Sequence, residues 1–476
     1  MSSEYTPAHG PRNLAARTIV AVVSTVALAV AVVVSAVGLP SGVLRAFQGP
    51  IAGITTVEVL PAEPDRVLVC MGPAIAFSGQ DAAPVGYGQA TDVFFGPEVT
   101  ATALVDTDLR DASSLEGAPV AAPPTVISQP ASAGVLSGAS SQALDNSNVR
   151  GLALQECQEP RSETWLVGGD TTVGRQAVLT LANPGVVAAS VNIDVWGQSG
   201  PISSPLGQGI LVGPGAQRVI SLAGLAPSEA RPVLRVVSNG TGIVVALHTS
   251  IVRGLSADGL AVVTGQAPPD ELRVIPGLFG PPEEIIGPIR GKDGYADVGG
   301  ILRVLAPDAD ASVSVTVVRP GVAHVTTRLE LQAGQVEDLS LDQFGSGDYS
   351  VVLESTAAIV AAVRTSVGTD ERTDTSWVGS SYALTGDTSL PVPASGDSRL
   401  SVVNPGATEV LVSLDGRPTP LAPGEMITRA LGGGSYALSA DGQVYAVVSV
   451  RTETLIGHIQ VLPSPRLQEP IVMNIR

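Results

Sequence analysis

The sequence predicts an all-β ectodomain of tandem small β-sandwich units, each of immunoglobulin-like size, behind one N-terminal transmembrane helix. Three observations predict it. A strand-and-turn pattern occurs three times, as VLTLANPG (178–185), ILRVLAPD (301–308) and RLSVVNPG (399–406). From residue 52 onward, short runs rich in Val, Ile and Thr alternate with Gly, Pro and Asn turn signals. One apolar stretch, Thr18 to Leu39, holds 22 residues without a charge.

As a helix, that stretch is roughly 33 Å long, enough to cross the hydrocarbon core of a bilayer. Arg12 and Arg17 precede it and only Arg45 follows closely. The positive-inside rule then places residues 1–17 in the cytoplasm as a short tail and the bulk of the chain outside. A cleaved signal peptide is the rival reading, with Val34-Ser35-Ala36 as an acceptable small-residue site. The run exceeds a signal core of about 7–15 residues, which favours a retained anchor over residues 18–39. The expectation is a single-pass cell-membrane protein, and on either reading residues 40–476 are extracytoplasmic. No second apolar run is long enough to span, which argues against a channel or transporter.

Composition narrows the classes further. A chain of 476 residues is too long for one core. A net charge of −18 argues against nucleic acid, because little here replaces the counterions condensed on phosphates. Arg outnumbers Lys 25 to one, Lys292 being the sole lysine, and Ala, Val, Gly and Pro are abundant, a usage typical of high-GC bacterial genomes. Aromatic residues make up 3%, so the cores must be built from Val, Leu, Ile and Ala.

The repeats set the organisation. The first strand of a unit ends at Asn183-Pro184-Gly185 or Asn404-Pro405-Gly406, where Asn accepts backbone hydrogen bonds and Pro presets φ. Ala306-Pro307-Asp308 is the weaker version in the remaining unit. A strand, Gly turn and second strand follow, as LVGPGAQRVISL (211–222), LQAGQVEDLSL (331–341) and LAPGEMITRAL (421–431). The closing element is GIVVALHTS (242–250), AIVAAVRTS (358–366) and VYAVVSVRT (444–452), with Ile243, Val245 and Leu247 on one face. From the Gly turn to His248, Arg364 or Arg451 the spacing is 33, 30 and 27 residues. The units are therefore 163–265, 266–386 with a Pro- and Gly-rich linker at its start, and 387–464, followed by a tail over 465–476. Six or seven strands per unit suit a two-sheet sandwich better than a propeller blade of about 40–50 residues. Residues 52–160 read as a fourth, degraded unit, with a mobile Ala-, Ser-, Gly- and Pro-rich loop expected over 112–148.

Few residues invite chemistry. Cys70 and Cys157 are the only cysteines, both outside the membrane on the first and last strands of the degraded unit. A disulfide between them is expected, worth on the order of 4 kcal/mol in the chain-entropy model. His248 aligns with Arg364 and Arg451, which predicts a surface role at a strand end. No HExxH, GxSxG or spaced His/Cys cluster occurs, so no catalytic residue, metal ligand or cofactor is assigned. DTDLRD, with Asp106, Asp108 and Asp111, and the turn pair Asp308 and Asp310 read as solvated carboxylates rather than a Ca²⁺ loop. Trp165 and Trp377 look like repeat equivalents that pack between units. Trp196, at the end of a strand before a Gly turn, is the best candidate for a ligand-facing ring.

ETWLVGGDTTVGR (163–175), LANPG (181–185), VWGQSGP (195–201) and GPGAQRVISL (213–222), behind one N-terminal helix, resemble an uncharacterised family of membrane-anchored envelope proteins of high-GC Gram-positive bacteria. The resemblance implies an extracytoplasmic, membrane-tethered protein and carries no functional residue with it. The expected function is a non-enzymatic envelope scaffold or binding array, with an envelope protein or a cell-wall glycan as partner. The alternative is a carbohydrate-binding accessory module for cell-wall polymer synthesis.

Overall fold

The computed structural model describes residues 55–59, 64–77, 84–104, 106–107, 110–111, 122–370, 372–394, 396–464 and 471–475. The expected cytoplasmic tail and membrane segment lie outside the described residues. Among those described, no helix is long and apolar enough to cross a membrane. Thr55–Val59 pairs antiparallel with Ile471–Ile475 as a ribbon of its own. All else that is described belongs to one compact body, Glu63–Arg466.

The protein is all-β, and its strands show the same order of pairing three times. In the first repeat one sheet runs Glu163–Val167, Val233–Asn239, Ala189–Gly197, with Gly200–Ile202 and Ile210–Val212 both on the last of these. Its other sheet runs Ser256–Thr264, Val244–Arg253, Arg175–Asn183, Ala216–Ser221. The second repeat places Asp270–Gly280, Gly347–Thr369, Ala311–Arg319 and Val322–Leu331 in the first sheet. Arg372–Gly379, the far half of Gly347–Thr369, Ile301–Leu305 and Val336–Ser340 form its second. The third repeat has Leu384–Val392, Gly434–Arg451, Val410–Leu414 and Arg417–Leu421, then Ile456–Gln460, the far half of Gly434–Arg451, Asp397–Val403 and Met426–Leu431. Strands 347–369 and 434–451 thus curl from one sheet into the other, whereas the first repeat breaks the same path at Gly240-Thr241-Gly242.

Alternation drives each layer. Along Ala189–Gly197, Val191, Ile193 and Val195 are buried and Asn192, Asp194 and Trp196 point the other way. Ile243, Val245 and Leu247 lie in the same core as Leu179 and Leu181 of the partner strand. The turn asparagines act as tethers. Asn183 Oδ1 accepts the Gly185 amide at 2.9 Å, and its Nδ2 donates to Val187 O at 2.8 Å and Val212 O at 3.1 Å. Asn404 repeats this with Gly406 at 2.9 Å, Thr408 O at 2.8 Å and Leu421 O at 3.0 Å.

Four expectations need correction. Residues 112–148 are not one loop, since Thr125–Gln129 and Ser137–Asp145 are strands. Their small residues serve close packing: a Cβ on Gly138 would lie 2.7 Å from Cys157 Sγ. The segment taken as a linker holds the opening strand Asp270–Gly280 and the helix Glu283–Arg290, whose Ile286 and Ile289 are buried. Trp165 and Trp377 are not equivalents, because Trp165 is on the first strand of its repeat, Glu163–Val167, and Trp377 on the last of its own, Arg372–Gly379. Register also separates Arg451 from the set. Val178 faces His248 and Ile301 faces Arg364, but Arg399, the third equivalent, faces Ser449.

The repeats pack face to face. Val360, Ala362 and Trp377 of the second share a core with Trp165, Val167 and Val233 of the first. Val403, Met426 and Tyr445 of the third lie against Val274 and Val318 of the second. The N-terminal unit covers the first repeat through Val69, Met71 and Ala76 against Val244, Ala246 and Val262. It also reaches the third, where Leu152 and Leu154 join Leu390 and Val448.

Candidate functional site at the junction of the units

The last strands of the three repeats, Ser256–Thr264, Arg372–Gly379 and Ile456–Gln460, meet at Arg150–Glu156 of the N-terminal unit, and the meeting place is polar. Asp374 sits at its centre. Its Oδ2 accepts the Leu152 and Ile456 amides, each at 3.0 Å, and its Oδ1 accepts the Leu260 amide at 3.0 Å. One carboxylate in the second repeat therefore holds backbone from the N-terminal unit, the first repeat and the third. Burial pushes this carboxyl up to about 7, against the opposing pull of those amides. Close approach demands glycine opposite it: at Gly151, with φ at +142°, a Cβ would collide with Asp374 Oδ1 and the Leu260 amide.

The surrounding groups follow the same logic. Asp258 accepts the Thr373 amide at 2.8 Å and Arg253 Nε at 2.6 Å, and Arg150 Nη1 donates to Thr373 O at 2.8 Å. Glu156 accepts Gln158 Nε2 at 2.8 Å and the Gln460 amide at 3.1 Å, while burial raises its pKa. Gln158 pairs with both the amide and the carbonyl of Gly265. His458 Nδ1 lies 2.9 Å from Ser376 Oγ and Nε2 lies 3.2 Å from Gly277 O. Burial drives this imidazole down to about 3. Ser376 and His458 have the spacing of a nucleophile and its base. Both are buried, and the second nitrogen faces a backbone carbonyl rather than an orienting acid. Nothing in the sequence nominated this pair, because the two residues belong to different repeats.

An open cleft lies beside the junction. Its volume is about 1190 Å³, and Arg175, Arg253, Lys292, Asp293 and Tyr295 line it with Gly174, Gly254, Gly291 and Gly294. Asp297 organises its floor, pairing with Arg175 Nη2 and Arg253 Nη1 at 2.6 Å each and giving its carbonyl to Arg364. Burial pushes the Asp297 carboxyl up, but Arg253, Arg175 and Arg364 outweigh that and hold it below the usual carboxylate range. The Arg253 guanidinium covers the Tyr295 ring at 4.4 Å. Val173, on the cleft wall, is 100% exposed, and Leu255, next to Gly254, is 98% exposed.

The residues singled out from sequence are dispersed. Cys70 and Cys157 form a disulfide buried with Leu68 and Ile127. Trp196 is half-buried and stacks on Trp165, with centroids 5.3 Å apart and planes at 23°. The turn at Gly334 of the second repeat packs beside it. Trp377 lies under the Arg303 guanidinium at 4.7 Å, and Arg303 also donates to Gly169 O and Ala230 O of the first repeat. His248 is buried rather than on the surface, roofed by the N-terminal unit. Burial lowers its pKa to about 4. Asp308 and Asp310 are exposed, and Asp310 accepts the Ala333 amide at 2.8 Å. Asp108 and the side chains of Asp106 and Asp111 lie outside the described residues.

Comparison with functionally curated proteins gives no match. A family profile matches residues 114–420, which take in the later part of the N-terminal unit, the first two repeats and the start of the third. On that match, over more than half of its length, the chain belongs to the family of unknown function DUF5719.

Proposed function

We propose that this protein is a non-enzymatic scaffold of the cell envelope in high-GC Gram-positive bacteria. It is tethered through residues 18–39, and its tandem β-sandwich units stand outside the membrane as a rigid binding body. One observation carries the reading: Asp374 commits its carboxylate to amides from three other units. A buried group held this way stiffens an assembly, whereas a catalytic group must face a substrate. Arg150, Glu156, Asp258 and His458 are sequestered in the same way. The cleft at Arg175, Arg253 and Lys292, with Val173 and Leu255 exposed, is where an envelope protein partner would bind.

Photo-crosslinking in cells tests this. A photoreactive residue at Leu255 is expected to trap a discrete extracytoplasmic partner, and one at Val325 on the second repeat is not. Turnover of an envelope polymer by the purified chain, abolished by a point substitution, would overturn the reading. The second reading, a carbohydrate-binding accessory module, draws on the polar, glycine-lined cleft and on Trp196. Saturable co-sedimentation with cell wall, lost on Lys292→Ala or Trp196→Ala with folding intact, would favour it instead.

A further inference from the structure

The third repeat differs from the other two at the end of its core. In the first repeat, strand Ala216–Ser221 runs into the helical turn Leu222–Leu225, and Leu222 and Leu225 are buried as a plug between the sheets. In the second, Val336–Ser340 is followed by Leu341 and the turn Asp342–Phe344, and Leu341 and Phe344 pack on that core. In the third, Met426–Leu431 passes through Gly432 and Gly433 straight into Gly434–Arg451. No plug of that kind fills the end, which only the half-buried Leu414, Ile427, Leu431 and Tyr436 cover. A cavity of about 500 Å³ opens there, within the range of about 300–1,000 Å³ usual for small-molecule sites.

Its chemistry is specific. The floor is the core itself: Leu400, Val402, Val412 and Leu438 are all buried yet line the cavity. The mouth carries Arg417 and Arg429, both exposed, and Asp415, which accepts the Ala437 amide at 2.8 Å. Neither arginine has an ion-pair partner among the described residues, and the Arg429 guanidinium reaches only Thr428 O, at 3.3 Å. In a chain of net charge −18, where most buried and half-buried arginines are matched to carboxylates, two cations without an ion pair stand at a polar mouth above an apolar floor.

We propose that the third repeat binds a single acyl chain carrying an anionic head group, with the chain between the sheets and the head group on Arg417 and Arg429. Burying the chain supplies the affinity, and two guanidiniums select a carboxylate or phosphate over a neutral head. The head group can belong to a free fatty acid or to an anionic phospholipid.

The test uses the full-length chain in phosphatidylcholine nanodiscs with a diazirine-bearing fatty acid, and in a second arm with phosphatidylglycerol bearing the same chain. Photolabelling is expected within residues 400–438 in at least one arm, which also identifies the source. Arg417→Glu with Arg429→Glu, both on the surface, should cut that labelling by about tenfold or more. Replacing residues 432–434 by the plug SLAGLAPSE of the first repeat should abolish it. The corresponding diazirine alcohol should label at the level of the charge-reversed variant. Absence of label within 400–438 in both arms would overturn the proposal. So would label that survives the charge reversal and the graft.

Discussion

Asp374 accepts three backbone amides from three other units, so its two oxygens matter more than its charge. Asp374→Asn turns one acceptor into a donor facing amides and should cost about 1–3 kcal/mol, read by urea unfolding. Gly151→Ala should do comparable damage, through collision rather than a lost bond. The histidines set the response to acid. An unfolded imidazole titrates near 6.5, whereas burial holds His248 down to about 4 and His458 to about 3. Between pH 6.5 and about 4 the unfolded chain binds protons on them that the folded chain refuses, so their contribution to stability falls as pH falls. Asp374 has the opposite sign. Its folded value of about 7 lies above the unfolded 3.8, so between these limits the folded state holds the extra proton and gains as pH falls. Thermal unfolding from pH 7 to 4 should therefore show His458→Gln less acid-sensitive than wild type. Asp374→Asn should be more acid-sensitive.

In the first and third repeats an asparagine ties the opening turn to the neighbouring strands. Asn404 ties its own turn to the hairpin ending at Leu421, with every polar atom of its side chain engaged. Asn404→Ala should destabilise by about 1–3 kcal/mol, because the carbonyls of Thr408 and Leu421 lose a buried donor. The spacing from the Gly turn to the closing strand, 33, 30 and 27 residues, was visible in the sequence. Its meaning was not. The shrinkage tracks the plug between two strands, at residues 222–232, 341–346 and 432–433, and only packing shows that those residues fill a core end. The strands at 125–129 and 137–145 were missed for a related reason. Ala, Ser and Gly signal loop by composition, but here they are small because the disulfide and neighbouring strands press on them.

At the scale of the whole molecule, the repeats are not beads on a string. The N-terminal unit shares one apolar cluster with the first repeat and another with the third. Calorimetry is therefore expected to show one main transition for Glu63–Arg466, with no separate melting of single repeats. Reducing the Cys70–Cys157 disulfide should lower that transition as a whole, since Arg150–Glu156, just before Cys157, touches the last strand of all three repeats. Hydrogen exchange confined to residues 64–157 after reduction would contradict this.

The sequence by itself determined the class of structure and its modular plan. Strand periodicity, turn asparagines and paired cysteines are local signals, and local backbone chemistry obeys them. It also identified the repeats, because duplicated units keep the residues their own cores require. Tertiary structure decided what packing alone can set: the burial of His248, the meeting of Ser376 with His458, the three amides gathered on Asp374 and the open end of the third repeat. Those features depend on which face of one sheet meets which face of the next. Outward-facing positions on a strand look alike in sequence whether they meet water or another unit.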